Sequence, residues 1–257
     1  MYGSESMNRL LNMDCTNASI MYIQEYIKHE LVFRLRSNRS LTLNLIDRLR
    51  NILFCYKWRY DIKNDVVKRL CEASPVDLYR FLVSEMMDVN IEIEAVDPKK
   101  NRVDTIEIPA IDIPIRALTD DSSAKCLDLA DRIQIWIEQN VSNNERSYRF
   151  KDIPHIVPIV LDREDNAISA YDVPVNIKEV IAFPDIDDTI QKMFVWEIHS
   201  IILYDRNSNE YYALVRDDAW YEVSDSWIPS NREVDMKDQN TVNRIARQAT
   251  MVFYKLK

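Results

Sequence analysis

Seven side chains carry the nucleophile and base chemistry open to this 257-residue chain: Cys15, Cys55, Cys71 and Cys126, and His29, His155 and His199. A thiolate beside an imidazole, with an Asp or Asn to orient the ring, performs nucleophilic acyl transfer. Cys15 is the thiol that sits beside a helix start, in the run Arg9-Leu10-Leu11-Asn12-Met13-Asp14-Cys15-Thr16-Asn17-Ala18. The other stretch with the layout of a catalytic loop is Trp196 to Ile228. Two alternating segments flank a polar turn, Asn209-Glu210-Tyr211-Tyr212-Ala213, and Trp220, Asp225 and Ser226 follow. A base that takes a proton from a thiol must be an imidazole or a group of similar pKa. Glu210 is too acidic for that task unless deeply buried.

The elements that must position these residues divide near Asn90. Residues 1 to about 90 read as helical. Ile20, Ile23, Tyr26, Ile27 and Leu31 share one helix face, and Leu41 through Tyr56 share another within Ser40 to Tyr60. A short helix is expected over Asp65 to Cys71. Ser74-Pro75 has the form of an N-cap followed by proline at the first helical position, opening a helix to about Val89. Beyond Asn90 the period changes to two, at Ile91, Ile93 and Ala95 and then through Val103 to Ile115. Pro109 and Pro114 assign parts of this stretch to a sheet edge. A helix capped by Ser122 or Ser123 is expected through Leu127, Ala130, Ile133 and Ile137. From Ile153 onward the chain reads mostly as strands: Ile156 to Leu161, Val180 to Phe183, Phe194 to Tyr204, Tyr211 to Arg216, Trp220 to Val223 and Thr250 to Lys255. A helical half followed by a mainly β half is α+β in type.

Composition narrows the functional classes. Hydrophobic residues make up 47% and charged residues 29%, an ordinary globular balance, and no run reaches the ~20 apolar residues that span a bilayer. Glu5, Arg9 and Asp14 interrupt the N-terminal apolar stretches, so no signal peptide is expected and an intracellular location, nucleus or cytoplasm, is. A net charge of -9 with interspersed acids leaves no phosphate-binding face, so no direct nucleic-acid contact is expected. The acidic surface suits solubility or a basic partner. No Cys-x-x-Cys pair exists, which fits reduced thiols and implies neither a disulfide framework nor a zinc site; no metal and no cofactor is expected. Gly3 is the single glycine, where roughly 18 would be ordinary. Turns that need positive φ must therefore use Asn or Asp.

Five local motifs, in order, resemble those of the ubiquitin-specific proteases. Leu10, Asn12, Thr16 and Gln24 match the N-terminal Gly-Leu-x-Asn-x-Gly-Asn-Thr-Cys box without a gap, with Ile23 in place of Leu, and the nucleophile position falls on Asn17. Asp77, Phe81 and Leu82 match Gln-Asp-Ala-x-Glu-Phe-Leu. Ile153-Pro154 through Leu161-Asp162-Arg163 resembles the Leu-Pro strand that ends in Arg-Phe. Ile181-Ala182-Phe183-Pro184 resembles Val-x-Phe-Pro, and Met251-Val252-Phe253-Tyr254 resembles the closing Tyr-x-Leu-Phe-Tyr. Tyr211-Tyr212-Ala213, Trp220 and Asp225 follow the Gly-His-Tyr-Tyr-Ala signature, with Asn209 and Glu210 where Gly and His stand.

The resemblance implies a single papain-like domain over residues 1–257. Residues 1–90 would form a helical thumb, and 91–257 reduced fingers and an antiparallel β palm. It also implies a broken triad at Asn17, Glu210 and Asp225. Asn17 has no nucleophilic form, and Cys15 stands where the family's first oxyanion Asn would be. The expected role is then that of a pseudo-deubiquitinase that binds or scaffolds a protein partner, ubiquitin or a ubiquitin-like protein being the candidate, within a larger complex. The fit of the N-terminal box is similar to the inactive branch of the spliceosomal U4/U6.U5 particle. Asp77, Tyr211, Tyr212 and Trp220 are the expected partner-binding residues. Two alternatives stand beside this: an active protease in which Cys15 is the nucleophile, and a structural subunit with no ubiquitin contact.

Overall fold

A computed structural model describes residues 18–37, 41–56, 58, 60–63, 66–69, 74–87, 90–97, 102–115, 126–138, 147–163, 173–184, 193–224 and 232–257. The chain divides into two compact units, Met1–Asn90 and Ile91–Lys257, and the boundary falls where the hydrophobic period changes from helical to alternating.

In the first unit, helix α1 (Ala18–Tyr26) runs on through a wide, π-type stretch, Ile27–Val32, into a last turn at Phe33–Arg36. Helix α2 spans Leu43–Cys55, strands β1 (Tyr60–Lys63) and β2 (Val66–Arg69) follow, and helix α3 (Pro75–Arg80) extends into a second π-type stretch, Phe81–Met87. Ile23, Tyr26, Ile27, Val32 and Ile52 form the buried centre, with Phe81 and Leu82 packed against it. The Tyr26 hydroxyl donates to the Leu45 carbonyl at 2.9 Å, tying α1 to α2. The cap at Ser74 is as the sequence predicts: its hydroxyl accepts from the Asp77 N–H at 3.2 Å, with Pro75 at the first helical position.

The helix expected over Asp65 to Cys71 does not form. Val66–Arg69 instead pairs antiparallel with Tyr60–Lys63, Ile62 opposite Val67. Adjacent β-branched valines favour the pleated pairing over a lone helical turn, which would have no room for cooperative propagation.

The second unit is built on one large sheet. Strands β5 (Ile111–Pro114), β8 (Ile156–Asp162), β10 (Val180–Pro184), β11 (Met193–Asp205), β12 (Glu210–Arg216), β13 (Trp220–Ser224), β14 (Arg232–Glu233) and β15 (Ala249–Leu256) form it in the order β14-β13-β12-β11-β15-β8-β5, with β10 also on β11. Every pair is antiparallel except β5 on β8, which is parallel. A second sheet holds β4 (Arg102–Ile108), β3 (Ile91–Asp97) and β7 (Ser147–Phe150), with β3 central. The prolines act as expected, since β4 and β5 both lie on sheet edges. Short strands β6 (Leu127–Asp128) and β9 (Val175–Asn176) pair in parallel.

Two helices of this unit differ from the sequence reading. Helix α4 is Leu129–Glu138, and Leu127–Asp128 is strand, so the expected start is too early; Ser122 and Ser123 lie outside the described residues. Asp128 takes over the start, accepting from the Ala130 N–H at 3.0 Å. Burial opposes its charge, yet hydrogen bonds from Lys178, Ala130 and Asn176 hold the carboxyl below its ordinary range. Helix α5, Gln239–Gln248, was not expected at all in a stretch read as mostly strand. Its sequence, QNTVNRIARQ, is mostly polar, with Val242 and Ile245 its large apolar residues and Ile245 the buried one, so few apolar positions mark it. What defines it is the cap at Asp238, whose carboxylate accepts from the Thr241 N–H at 2.9 Å.

Ile111, Val157, Ile159, Trp196, Ile201, Leu203, Leu214 and Tyr254 lie at the centre of this unit's core.

Candidate functional site

The β11–β12 hairpin carries Asn209, Glu210, Tyr211 and Tyr212, which the resemblance places at the site. Ser200 pairs with Val215 and Asp205 with Glu210, closing a tight turn over Arg206 to Asn209. Asn209 has φ 57°, and among the described residues it alone is a non-glycine at positive φ. In a chain with one glycine this is where an asparagine must stand in, and its side-chain oxygen accepts from the Tyr204 hydroxyl at 2.6 Å. Asn209→Ala is expected to cost about 1 kcal/mol, read as a lower urea midpoint, whereas Asn209→Gly leaves the midpoint unchanged or raises it.

Glu210 is exposed at the first position of β12, directly opposite Asp205. The position where the resemblance calls for imidazole thus holds a solvated carboxylate facing another carboxylate. No imidazole stands there to take a proton from a thiol.

From Glu210 the strand alternates. Tyr212 and Leu214 face the same side as Leu203 and Ile201, while Tyr211 lies opposite Tyr204 on the other side. The Tyr204 and Tyr211 rings stack at 4.7 Å. Tyr212 is held by α5: its hydroxyl donates to the Gln248 side-chain oxygen, and the Arg244 guanidinium lies 5.2 Å over its ring. Arg244 also binds Glu222 at 2.7 Å. Burial, only partly offset by Arg244, pushes the Tyr212 phenol up to about 12. Tyr212 is therefore a neutral, packed ring at physiological pH. Arg244 and Gln248 were not singled out in the sequence, because the helix that carries them was not.

Trp220 pairs with Arg216 on the Tyr212 side of the sheet, at the far end of β12 from Glu210. Six steps of about 3.3 Å put the two ends about 20 Å apart. Trp220 lines an open cleft of about 1090 Å³ with Ile198, Ile201, Met236, Val242 and Ile245. Asp77, the fourth expected binding residue, lies in the first turn of α3, where its carboxylate complements the helix dipole. The structure therefore gathers Tyr211 and Tyr212 at the hairpin and places Trp220 in a separate cleft. Cys15, Asn17, Asp225 and Trp227 lie outside the described residues.

His199 sits where the β11–β15 register shifts, between the pairs Ile198–Tyr254 and Ser200–Phe253. Burial first, with Lys255 and Arg216 adding to it, lowers its pKa from 6.5 to about 4. Because the ring is neutral in the fold, the unfolded chain binds the proton more readily between those values. Stability attributable to His199 is intact above pH 6.5 and declines as pH falls toward 4. Denaturant melts at pH 7 and pH 5 should show a larger loss in the native chain than in His199→Gln.

No family model and no curated protein matches the chain at the level of sequence. Its architecture does match solved structures, and the class they define is that of deubiquitinase and pseudo-hydrolase modules. A chain of the SAGA DUB module of Ubp8, Sgf11, Sus1 and Sgf73 bound to monoubiquitin superposes with TM-score 0.61 and 13% identity, over 98% of this chain and 62% of that one. The same module with a shortened Sgf11 gives 0.60 and 13%, over 98% and 62%. The Saccharomyces cerevisiae Pan2 pseudoubiquitin hydrolase–RNA exonuclease module, in complex with RNA, gives 0.53 and 12%, over 96% and 49%. At these identities the likeness is one of fold. The chain spans about three-fifths of the matched SAGA chains and half of the Pan2 chain.

Proposed function

We propose that this chain is a ubiquitin-specific-protease-like module without hydrolase activity, whose work is to hold a protein partner. The observation that carries the reading is the location of the imidazoles. All three histidines fall within described residues, and none is in the β11–β12 turn. His199 lies beside Ser200, whose partner is Val215, so it is about 20 Å along the hairpin from Glu210. His155 accepts through its backbone carbonyl from Leu256, which pairs with Trp196, farther still along β11. His29 belongs to the first unit, where it pairs with Glu25 at 2.8 Å. A thiol at Cys15 would meet no imidazole at the position the resemblance assigns, and Asn17 offers no nucleophile.

The Pan2 structure supports the reading, since it is a pseudoubiquitin hydrolase module on a similar fold. The SAGA structure in turn carries monoubiquitin and partner subunits, which makes ubiquitin or a ubiquitin-like protein the first partner to test here. Within the inactive branches, the N-terminal box favours the splicing-associated one. The net charge of -9 argues for protein over nucleic acid as the direct contact.

Affinity purification of the tagged chain is expected to yield a stoichiometric protein complex, with U4/U6.U5 components if the splicing reading holds. Thiol-dependent cleavage of a ubiquitin C-terminal amide, abolished by Cys15→Ala, would establish the active alternative instead. A tight partner with no ubiquitin-family binding would select the structural-subunit reading.

A further inference from the structure

The three-stranded sheet presents an open edge of defined chemistry. Strand β4 pairs with β3 along all seven of its residues, from Arg102 opposite Asp97 to Ile108 opposite Ile91. Among the described residues no strand pairs with its outer side. The exposed backbone runs for about 23 Å at 3.3 Å per residue. Native edges of this length are ordinarily protected by lysine, a bulge, an inward charge or a covering element. Here Asp104, opposite the buried Ala95, is one such inward charge, yet on either side of it Val103 is 50% exposed, and Ile106, on the face that packs inward with Ile91 and Ile93, is still 37% exposed.

The charge pattern says what is missing. Glu107 lies directly opposite Glu92, and like charges so placed repel. Glu92 has its cation in Lys151, and Glu94 has Arg149 at 2.8 Å, both from the β7 side of the sheet. Glu107, on the outer strand, has no cation among the described residues. A second copy of the chain paired about the middle of the strand does not supply one. Pairing β4 with itself about Thr105 would put Val103 opposite Glu107.

We propose that β4 is a docking edge that takes up an extended segment of a protein partner by strand addition, the segment setting Lys or Arg opposite Glu107 and an apolar residue opposite Ile106. Main-chain hydrogen bonds would supply the affinity, and the alternating basic and apolar side chains the selectivity. The surface extends the partner-holding role, but its test does not depend on the state of the hairpin site, which the covalent probe described below examines separately.

Random dodecapeptides displayed on phage and selected on the full chain provide the test. Glu107→Lys removes the like-charge pair with Glu92, so it should leave the fold at least as stable while reversing the recognition. Ile106→Lys blocks the edge by a second route, and far-ultraviolet circular dichroism confirms that both variants are folded. Enriched peptides are expected to alternate basic and apolar residues, to bind both variants at least tenfold more weakly, and to slow amide exchange in β4. The proposal is overturned if no peptide is enriched over the Glu107→Lys chain, or if binding survives both substitutions. It is equally overturned if the chain is a dimer that Ile106→Lys makes monomeric.

Discussion

Arg163→Ala is expected to destabilise the chain by about 4 kcal/mol, the sum of several unmade charge-assisted hydrogen bonds. Arg163 is 2% exposed at the end of β8. Its guanidinium donates to three backbone carbonyls: Val173 at 2.9 Å ahead of β9, Ala246 at 3.0 Å in the last turn of α5, and Ala249 at 3.1 Å at the start of β15. One planar fork thus closes the end of α5 and fixes the turn into β15, the strand that separates β8 from β11. Removing it strands three buried acceptors and leaves a cavity. At about 2–4 °C per kcal/mol for a chain of this size, the thermal midpoint should fall by about 10 °C. Arg163→Lys keeps the charge but cannot reach three carbonyls in one plane, so it should recover less than half of the loss. A wild-type melting curve in Arg163→Ala would contradict the assignment.

Trp196→Ala should be comparably damaging, at about 3–5 kcal/mol. Trp196 is completely buried and joins both sheets of the second unit. Its ring meets Phe183 edge-on at 5.4 Å, Phe150 from β7 at 5.8 Å and Phe194 at 6.3 Å. The indole N–H donates to the Pro154 carbonyl at 2.8 Å, anchoring the entry to β8. Trp196→Phe retains much of the ring contact but leaves that carbonyl unpaired, a loss of about 1–2 kcal/mol. Urea denaturation of the two variants separates the packing contribution from the hydrogen bond. Equal midpoints would show that the ring, not the N–H, is dispensable at this position.

The β half was legible because its strands are dense in β-branched and aromatic residues: β8, β10, β11, β12, β13 and β15 begin and end within a residue or two of the stretches those residues mark. The two features that escaped, the β1–β2 hairpin and helix α5, have four-residue strands or a mostly polar sequence with one buried apolar residue, too few apolar positions to mark them. That omission reached the site, because Arg244 and Gln248 on α5 decide whether Tyr212 is a surface contact or a packed ring. Asn209 and Glu210 were legible in full. The scarcity of glycine pointed to an asparagine at positive φ, and the residue after it could be read as a carboxylate whatever the backbone did. Asp77 is a different case: its type and spacing suit a binding residue, but the same spacing places it in the first turn of a helix whose cap it completes.

The central claim, a deubiquitinase fold without the hydrolase, is tested most directly by incubating the purified chain with ubiquitin bearing a thiol-reactive C-terminal group and measuring intact mass. The predicted result is unmodified protein under conditions that fully label an active enzyme of this fold. A stoichiometric adduct that maps to Cys15 and disappears in Cys15→Ala would contradict it, and would make the chain a working cysteine protease with a rewired base.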